Sequence, residues 1–175
     1  MSNIMPASMI SNHSIFTNRK DFGLHVYKNH HFIVIGGYEY IDRKFTKLKS
    51  GGILNVQTNE CTNLPELSEY HKIRHVSSID DYLYVVVEVQ CDRHKIYRIH
   101  LPTCAKWENV CLNCDLHTKG VIKVANNGHC LFLIRRIHEH SHQVEEYNPN
   151  TNQLKTIAIP QNVWVDTTIV VGNNR

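Results

Sequence analysis

The chain has 175 residues, the size of one ordinary domain and long enough to bury a core. Hydrophobic residues make up 42%, charged residues 20%, and the formal net charge is +3, a balance typical of globular proteins rather than disordered or nucleic-acid-binding chains. Lys44, Lys47 and Lys49 form the densest basic run, which we expect to be a solvated loop. No apolar run is long enough to span a membrane, and the N-terminus lacks the charged-then-apolar order of a signal peptide. We therefore expect a cytoplasmic protein whose six cysteines are reduced.

Short apolar strands separated by polar turns are predicted along most of the chain. Three hairpins stand out, and Asn127-Gly128 in the third is the strongest short hairpin signal. The strand pairs of these hairpins are 24–27 with 32–35, 75–79 with 82–89, and 121–124 with 129–134. A second pair follows each of them, at 52–56 with 61–64, 95–100 with 106–110, and 143–147 with 153–157. The turns inside the second pairs are rich in Pro, Asn and Thr, which favour turns.

This order of hairpin, loop and hairpin occurs three times. The run that begins at Tyr82 lies 50 positions after the run that begins at Phe32, and the run at His129 lies 47 positions later still. A fourth copy begins at Thr168 and reaches Gly172. A period of about 50 residues with four strands per unit is typical of a β-propeller blade. A β-sandwich also fits the short strands, but it gives no reason for the repeat.

These features resemble the Kelch repeat family. Gly36 and Gly37 follow the apolar strand 33–35, as the double glycine of that family does. Tyr147 precedes the turn N-P-N-T-N, and Trp107 occupies the place of the tryptophan in the last strand of a repeat. The resemblance implies a structural role for the double glycine, near a crowded propeller axis. A phosphate-binding loop is the weaker interpretation, because the G-x-G-x-x-G spacing and a following helix are missing.

The resemblance covers residues 19–175, although no single copy carries every hallmark. Arg19, Arg74 and Lys119 fall where the family has an arginine loop. Gly51-Gly52 is out of place in the repeat and is interpreted as a loop. In the later copies the double glycine is replaced by Val86-Val87, Leu133-Ile134 and Gly172-Asn173.

The fold class predicted in this way is all-β, a Kelch-type β-propeller with three four-stranded blades plus the start of a fourth. An N-terminal segment, 1–18, precedes the blades. The blade boundaries are about 19–67, 72–112, 117–160 and an incomplete 162–175. We expect an open, truncated array that self-associates through an edge near Val170. Closure by an N-terminal segment at 14–17 is the alternative.

A cysteine and histidine cluster is the candidate metal site. Cys104, Cys111, Cys114 and His117 have the close spacing of zinc ligands, but ordinary loop cysteines show the same spacing. We expect free thiols rather than metal ligands or disulfides. Three further histidines alternate within a predicted loop, where adventitious metal binding is the alternative to solvation, at His138, His140 and His142.

The sequence has no G-x-S-x-G, H-E-x-x-H, P-loop or paired-carboxylate motif, and we expect neither catalysis nor a cofactor. The leading hypothesis is a protein-binding module that uses the polar loops at 38–50, 90–94 and 135–142. The Kelch resemblance implies a protein partner, such as a ubiquitin-ligase substrate or scaffold, although the residues before Asp21 are too few for a BTB or F-box segment. The alternatives are a metal-binding or copper-oxidase-like propeller, or a truncated remnant without independent function.

Overall fold

A computed structural model of the protein describes residues 18–41, 43–69, 72–88, 94–110, 121–138 and 141–157. Strands and turns account for their regular structure, and no helix occurs among them, so the all-β prediction is confirmed. The strands are β1 (Arg19–Lys20), β2 (Gly23–Tyr27), β3 (His31–Ile35), β4 (Tyr38–Ile41), β5 (Lys44–Lys47), β6 (Gly51–Asn55), β7 (Glu60–Leu64), β8 (Lys72–Ile79), β9 (Tyr82–Glu88), β10 (His94–His100), β11 (Glu108–Asn109), β12 (Val121–Asn126), β13 (Leu131–His138), β14 (Ser141–Asn148) and β15 (Gln153–Ile157).

The strands form three four-stranded antiparallel sheets and one small sheet. The first sheet has the order β2-β3-β6-β7, the second contains β8 to β11, and the third contains β12 to β15, each as an antiparallel meander. The small sheet has the order β1-β4-β5. The six strand pairs predicted from the sequence are all present in the three large sheets.

The three large sheets follow one another in a propeller-like arrangement. Their first strands are neighbours, because β2 lies beside β8 and β8 lies beside β12. Successive four-stranded meanders whose first strands adjoin are the architecture of propeller blades. This arrangement leaves the later strands of each sheet further from the shared line of first strands.

The second sheet is buried on both faces, which explains its continuous apolar run. Side chains of β9 alternate, so that Leu83 and Val85 pack with Ile33 of the first sheet. Tyr84, between them, packs instead with Leu131 of the third sheet. A strand covered on both faces has no polar side, and β9 therefore lacks the alternation of apolar and polar residues that a half-exposed strand shows.

The first hairpins of the sheets differ in turn length, and this changes which residues correspond. Three residues separate β2 and β3 after Tyr27, whereas two separate β8 and β9 after Ile79. The last paired residues of the first strands, Tyr27 and Ile79, are therefore 52 positions apart, whereas those of the second strands, His31 and Tyr82, are 51 apart rather than 50. The position of Gly36 corresponds to Val87, and the equivalence with Val86 suggested by the sequence is wrong by one residue.

Three loop predictions are corrected by the structure. The predicted loop 38–50 contains β4 and β5, and the predicted loop 135–142 is mostly occupied by the ends of β13 and β14. Gly51 and Gly52 begin β6 rather than forming a loop. A Cβ on Gly51 would lie 2.8 Å from the backbone oxygen of Val34, so the close approach of β3 requires glycine there.

Several predictions concern residues outside the described ranges. They include the fourth copy at 162–175, most of the segment 1–18, Lys119 and the edge near Val170. The open array and the alternative closure at 14–17 therefore stay predictions. Within the described ranges, the structure contains no helical segment with the length and apolarity that a bilayer crossing needs.

Candidate functional site

The β4–β5 hairpin of the small sheet is inserted between β3 and β6 of the first sheet, and two glycines lie at the start of this insertion. Gly36 and Gly37 have φ of +64° and +93°, a conformation that side chains with a Cβ rarely adopt. A Cβ on Gly37 would lie 2.5 Å from the backbone oxygen of Lys20, and one on Gly36 would lie 2.9 Å from Ile73 Cγ1. The double glycine therefore lets the chain leave β3, pass close to β1 and touch the second sheet.

Arg19 fastens the two ends of this insertion together. Its Nη1 donates to the backbone oxygens of Gly36 and Ser50, both at 2.9 Å, and its Nη2 donates to Ser50 Oγ at 2.8 Å. Burial lowers the pKa of Arg19, and the nearby carboxylate of Glu39 offsets part of that change. Hydrogen bonds from one guanidinium to both ends of an insertion hold it in a fixed position on the first sheet.

The register of the small sheet gathers aromatic side chains on one face. Tyr38 pairs with Lys20 on one side and with Lys47 on the other, and Tyr40 pairs with Phe45. Directly paired residues point to the same face of a sheet, so these five side chains share one surface. We call Tyr38, Tyr40 and Phe45 the aromatic face, which lies between Lys20 and Lys47.

The aromatic face is exposed and its rings support one another. Tyr40 is 53% exposed and Phe45 is 63% exposed, large values for aromatic side chains. The ring centroids of Tyr40 and Phe45 are 4.9 Å apart, and Tyr38 meets Phe45 edge-on at 6.5 Å. Mutual packing limits the freedom of the rings, so little side-chain entropy remains to be lost when a partner binds.

The surroundings of the aromatic face are basic. The segment from Arg43 to Lys49 has four basic residues and no acidic residue, whereas the net charge of the whole chain is only +3. Glu39 pairs with Arg19 and Thr46, which places its carboxylate on the opposite face of the small sheet. The aromatic face is therefore bordered by positive charge.

The residues predicted to be structural motifs have structural contacts. Trp107 is packed against the core between the first and second sheets, and its Nε1 donates to the backbone oxygen of Pro65 at 2.7 Å. Tyr147 is fully buried, and its hydroxyl donates to Asn152 Oδ1 at 3.0 Å across the following turn. Burial raises the pKa of Tyr147 to about 12.

The predicted metal site is described at one residue only. Cys104 is a half-buried free thiol whose Sγ donates to the backbone oxygen of Leu101 at 2.9 Å, and burial raises its pKa. The remaining candidates, Cys111, Cys114 and His117, lie outside the described residues. Among the described residues, no group of three or more His, Cys, Asp or Glu side chains is placed to hold a metal ion.

The three alternating histidines are described only in part. His140 lies outside the described residues, and the described part of His138, at the end of β13, is its backbone. His142 lies in β14, opposite Arg136 of β13, rather than in a loop. The structure therefore does not bring these three imidazoles together at a described site.

Sequence reasoning missed the aromatic face, although a signal for it is present. The strings Y-E-Y-I and K-F-T-K alternate apolar and polar residues around a two-residue turn, a pattern that favours a hairpin. Both strings are also short and rich in charge, which favours a loop. A scan of protein-family models and a search of curated proteins found no match to this chain.

Proposed function

We propose that this protein is a non-catalytic protein-interaction module, and that the aromatic face is its recognition surface. The observation that carries the proposal is the exposure of Tyr40 and Phe45 on an insertion that Arg19 fastens to the first sheet. Tyrosine and other aromatic anchors provide much of the binding energy at protein interfaces, above all when they are held rigid. An exposed aromatic cluster with a basic border has both an apolar centre and a polar rim.

The Kelch resemblance of the sequence supports the same function. Propeller proteins of that type present inter-strand segments to other proteins, and the small sheet is such a segment. A ubiquitin-ligase substrate or scaffold is the kind of partner that the resemblance suggests. The free thiols of Cys61, Cys104 and Cys130 are in keeping with a reducing, cytoplasmic location.

A protein partner fits the aromatic face better than a nucleic acid does. Proteins that bind single strands combine ring faces free for base stacking with a basic groove that follows several phosphates. Here Tyr38 and Tyr40 both pack on Phe45, and among the described residues of the small sheet the basic side chains on their face are those of Lys20 and Lys47. Phosphate contacts from two lysines would give only weak binding.

Site-specific photo-crosslinking tests the proposal. A benzophenone amino acid at position 45 should form discrete adducts with proteins in a cell extract, and the substitution Tyr40→Ser should reduce their yield. The same amino acid at position 24 is the matched control, because Leu24 is 53% exposed, close to the 63% of Phe45, but lies on β2 of the first sheet. Equal adducts at both positions, no adducts, or adducts with nucleic acid alone would each contradict the proposal.

A further inference from the structure

We infer that the segment recognised at the aromatic face is an acidic, extended polypeptide that pairs as an added strand with the outer edge of β5. The inference rests on the proposed function and deepens it, because it names the chemistry and the conformation of the partner. Three observations carry it: the position of β5 in its sheet, the direction of its backbone groups and the charge around it.

The strand β5 is an edge strand. It is the last strand in the order β1-β4-β5, and all four of its residues are exposed. Among the described residues, no strand pairs with its outer side. An exposed edge strand offers backbone donors and acceptors to another extended segment, which is how many peptides are recognised.

The register decides which backbone groups reach that edge. The backbone N–H of Leu48 donates to the oxygen of Gly37 at 2.9 Å, in the same register that pairs Tyr40 with Phe45. Hydrogen-bonded and non-hydrogen-bonded pairs alternate along an antiparallel ladder, so the pair Tyr40 and Phe45 is a non-hydrogen-bonded one. The N–H and C=O of Phe45 therefore point away from β4, toward the open edge.

The charge of the edge selects the partner. Arg43 and Lys44 are exposed at the start of β5, within the run of four basic residues that ends at Lys49. Lysine at an edge strand opposes pairing with a like-charged strand, including β5 of a second copy of this chain. An acidic strand is attracted to Arg43 and Lys44 instead of being repelled by them. The basic residues at this edge therefore disfavour a basic partner strand and favour an acidic one.

The binding test uses three labelled ten-residue peptides and the full chain. One peptide alternates Glu and Val, the second alternates Lys and Val, and the third is the Glu–Val peptide with alternate backbone nitrogens methylated so that they cannot donate. Fluorescence anisotropy should show the Glu–Val peptide binding roughly tenfold more tightly than the Lys–Val peptide, with the difference shrinking at high salt. The methylated peptide should bind at least about fivefold more weakly than its parent.

A pair of variants at one position separates the ring from the backbone. Phe45→Ser removes the ring and keeps the outward N–H, whereas Phe45→Pro removes both, and β4 does not use that N–H. The proline variant should bind the Glu–Val peptide at least about threefold more weakly than the serine variant. Thermal unfolding of both variants reports whether the small sheet is retained. If it is lost in the proline variant, the methylated peptide still tests strand pairing, because it is measured on the unchanged protein.

The outcomes distinguish this inference from the function on which it rests. Protein crosslinks at position 45 together with equal binding of all three peptides would overturn the acidic strand and leave the interaction module in place. Preference for the Glu–Val peptide with no loss on methylation would overturn strand pairing. Tighter binding of a ten-nucleotide oligothymidine than of the Glu–Val peptide would overturn a protein partner altogether.

Discussion

At the scale of single residues, backbone conformation and burial explain the residues that the sequence makes conspicuous. Gly36 has a positive φ, accepts a hydrogen bond from Arg19 and lies against Ile73 of the second sheet. The glycine-rich step is therefore a structural junction between β3 and the small sheet. Nothing in its geometry resembles an anion-binding loop at a helix N-terminus.

The substitution Gly36→Val should destabilise the fold. A β-branched residue at φ +64° is strained, and its Cβ would also lie within 2.9 Å of Ile73 Cγ1. We expect a loss of about 1–3 kcal/mol in the free energy of unfolding, measured with denaturant. Gly128→Val is the matched control, because Gly128 has φ +89° but a Cβ added there would meet no heavy atom within 4 Å. This variant should therefore lose less unfolding free energy than Gly36→Val. An unchanged midpoint for Gly36→Val with altered peptide binding would contradict this interpretation.

Acid should destabilise the protein through His75. Burial, and to a smaller extent repulsion from His25, lowers the pKa of His75 from 6.5 to about 4. The unfolded chain then binds a proton more readily than the folded one, so stability is intact above pH 6.5 and is lost as the pH falls toward 4. The loss should reach up to about 3 kcal/mol at low pH.

Denaturant unfolding between pH 7 and pH 4.5 measures this loss. The substitution His75→Gln should flatten the pH dependence, since glutamine does not titrate. His129→Gln is the control, because His129 is exposed at a turn. If the free energy of unfolding changed with pH equally in both variants and in the parent protein, His75 would not control the loss of stability in acid.

At the scale of elements, the same turn is built twice from the same residue type. Asn55 Oδ1 accepts hydrogen bonds from the backbone N–H of Gln57 at 2.9 Å and of Thr58 at 3.3 Å. Asn148 Oδ1 accepts from Asn150 and Thr151 at the same two distances. These hydrogen bonds join residues two or three positions apart, so the turn residues alone were enough to predict both turns.

The substitution Asn148→Ala should therefore cost on the order of 1 kcal/mol in the free energy of unfolding, because two backbone donors lose their acceptor. Asn150→Ala is a suitable control, since Asn150 is exposed and contributes its backbone N–H to this turn. Chemical denaturation should give a lower free energy of unfolding for Asn148→Ala than for Asn150→Ala. If Asn150→Ala were the more damaging change, the capping role of Asn148 would be wrong.

At the scale of the whole molecule, stability comes from sheets that cover one another. The second sheet lies between the other two, and both faces of β9 are buried in separate apolar clusters. On the face of the first sheet turned away from the second sheet, three apolar side chains remain exposed: Leu24, Val26 and Phe32. The position of a residue in this stack therefore determines its contribution more than its hydrophobicity does.

Two leucine substitutions test this dependence on position. Leu83 is 0% exposed and Leu24 is 53% exposed, and both lie on strands of four-stranded sheets. Leu83→Ala should lower the free energy of unfolding by about 2–5 kcal/mol through the cavity it leaves, whereas Leu24→Ala should cost less than about 1 kcal/mol. Equal losses in denaturant unfolding would mean that the inter-sheet packing contributes little.

The sequence by itself determined the local hairpins and their repetition. The apolar run from Tyr82, the turn at Asn127-Gly128 and the period of about 50 residues predicted strand pairs that are all present, because alternation and turn chemistry act between near neighbours. The exact equivalence of the copies escaped prediction, since a one-residue change in turn length shifts it without changing composition.

Only the tertiary structure decided which residues form the candidate site. Tyr38, Tyr40 and Phe45 share one surface through the register of β4 with β5, and Arg19 of the neighbouring strand β1 reaches across to Ser50 at the end of the insertion. Whether the apolar side chain of Phe45 is buried or exposed depends on which sheets lie over it. The alternation of apolar and polar residues in this segment is short and interrupted by charge, and exposure depends on contacts between residues far apart in the chain, so the sequence predicted a loop where the structure places the aromatic face.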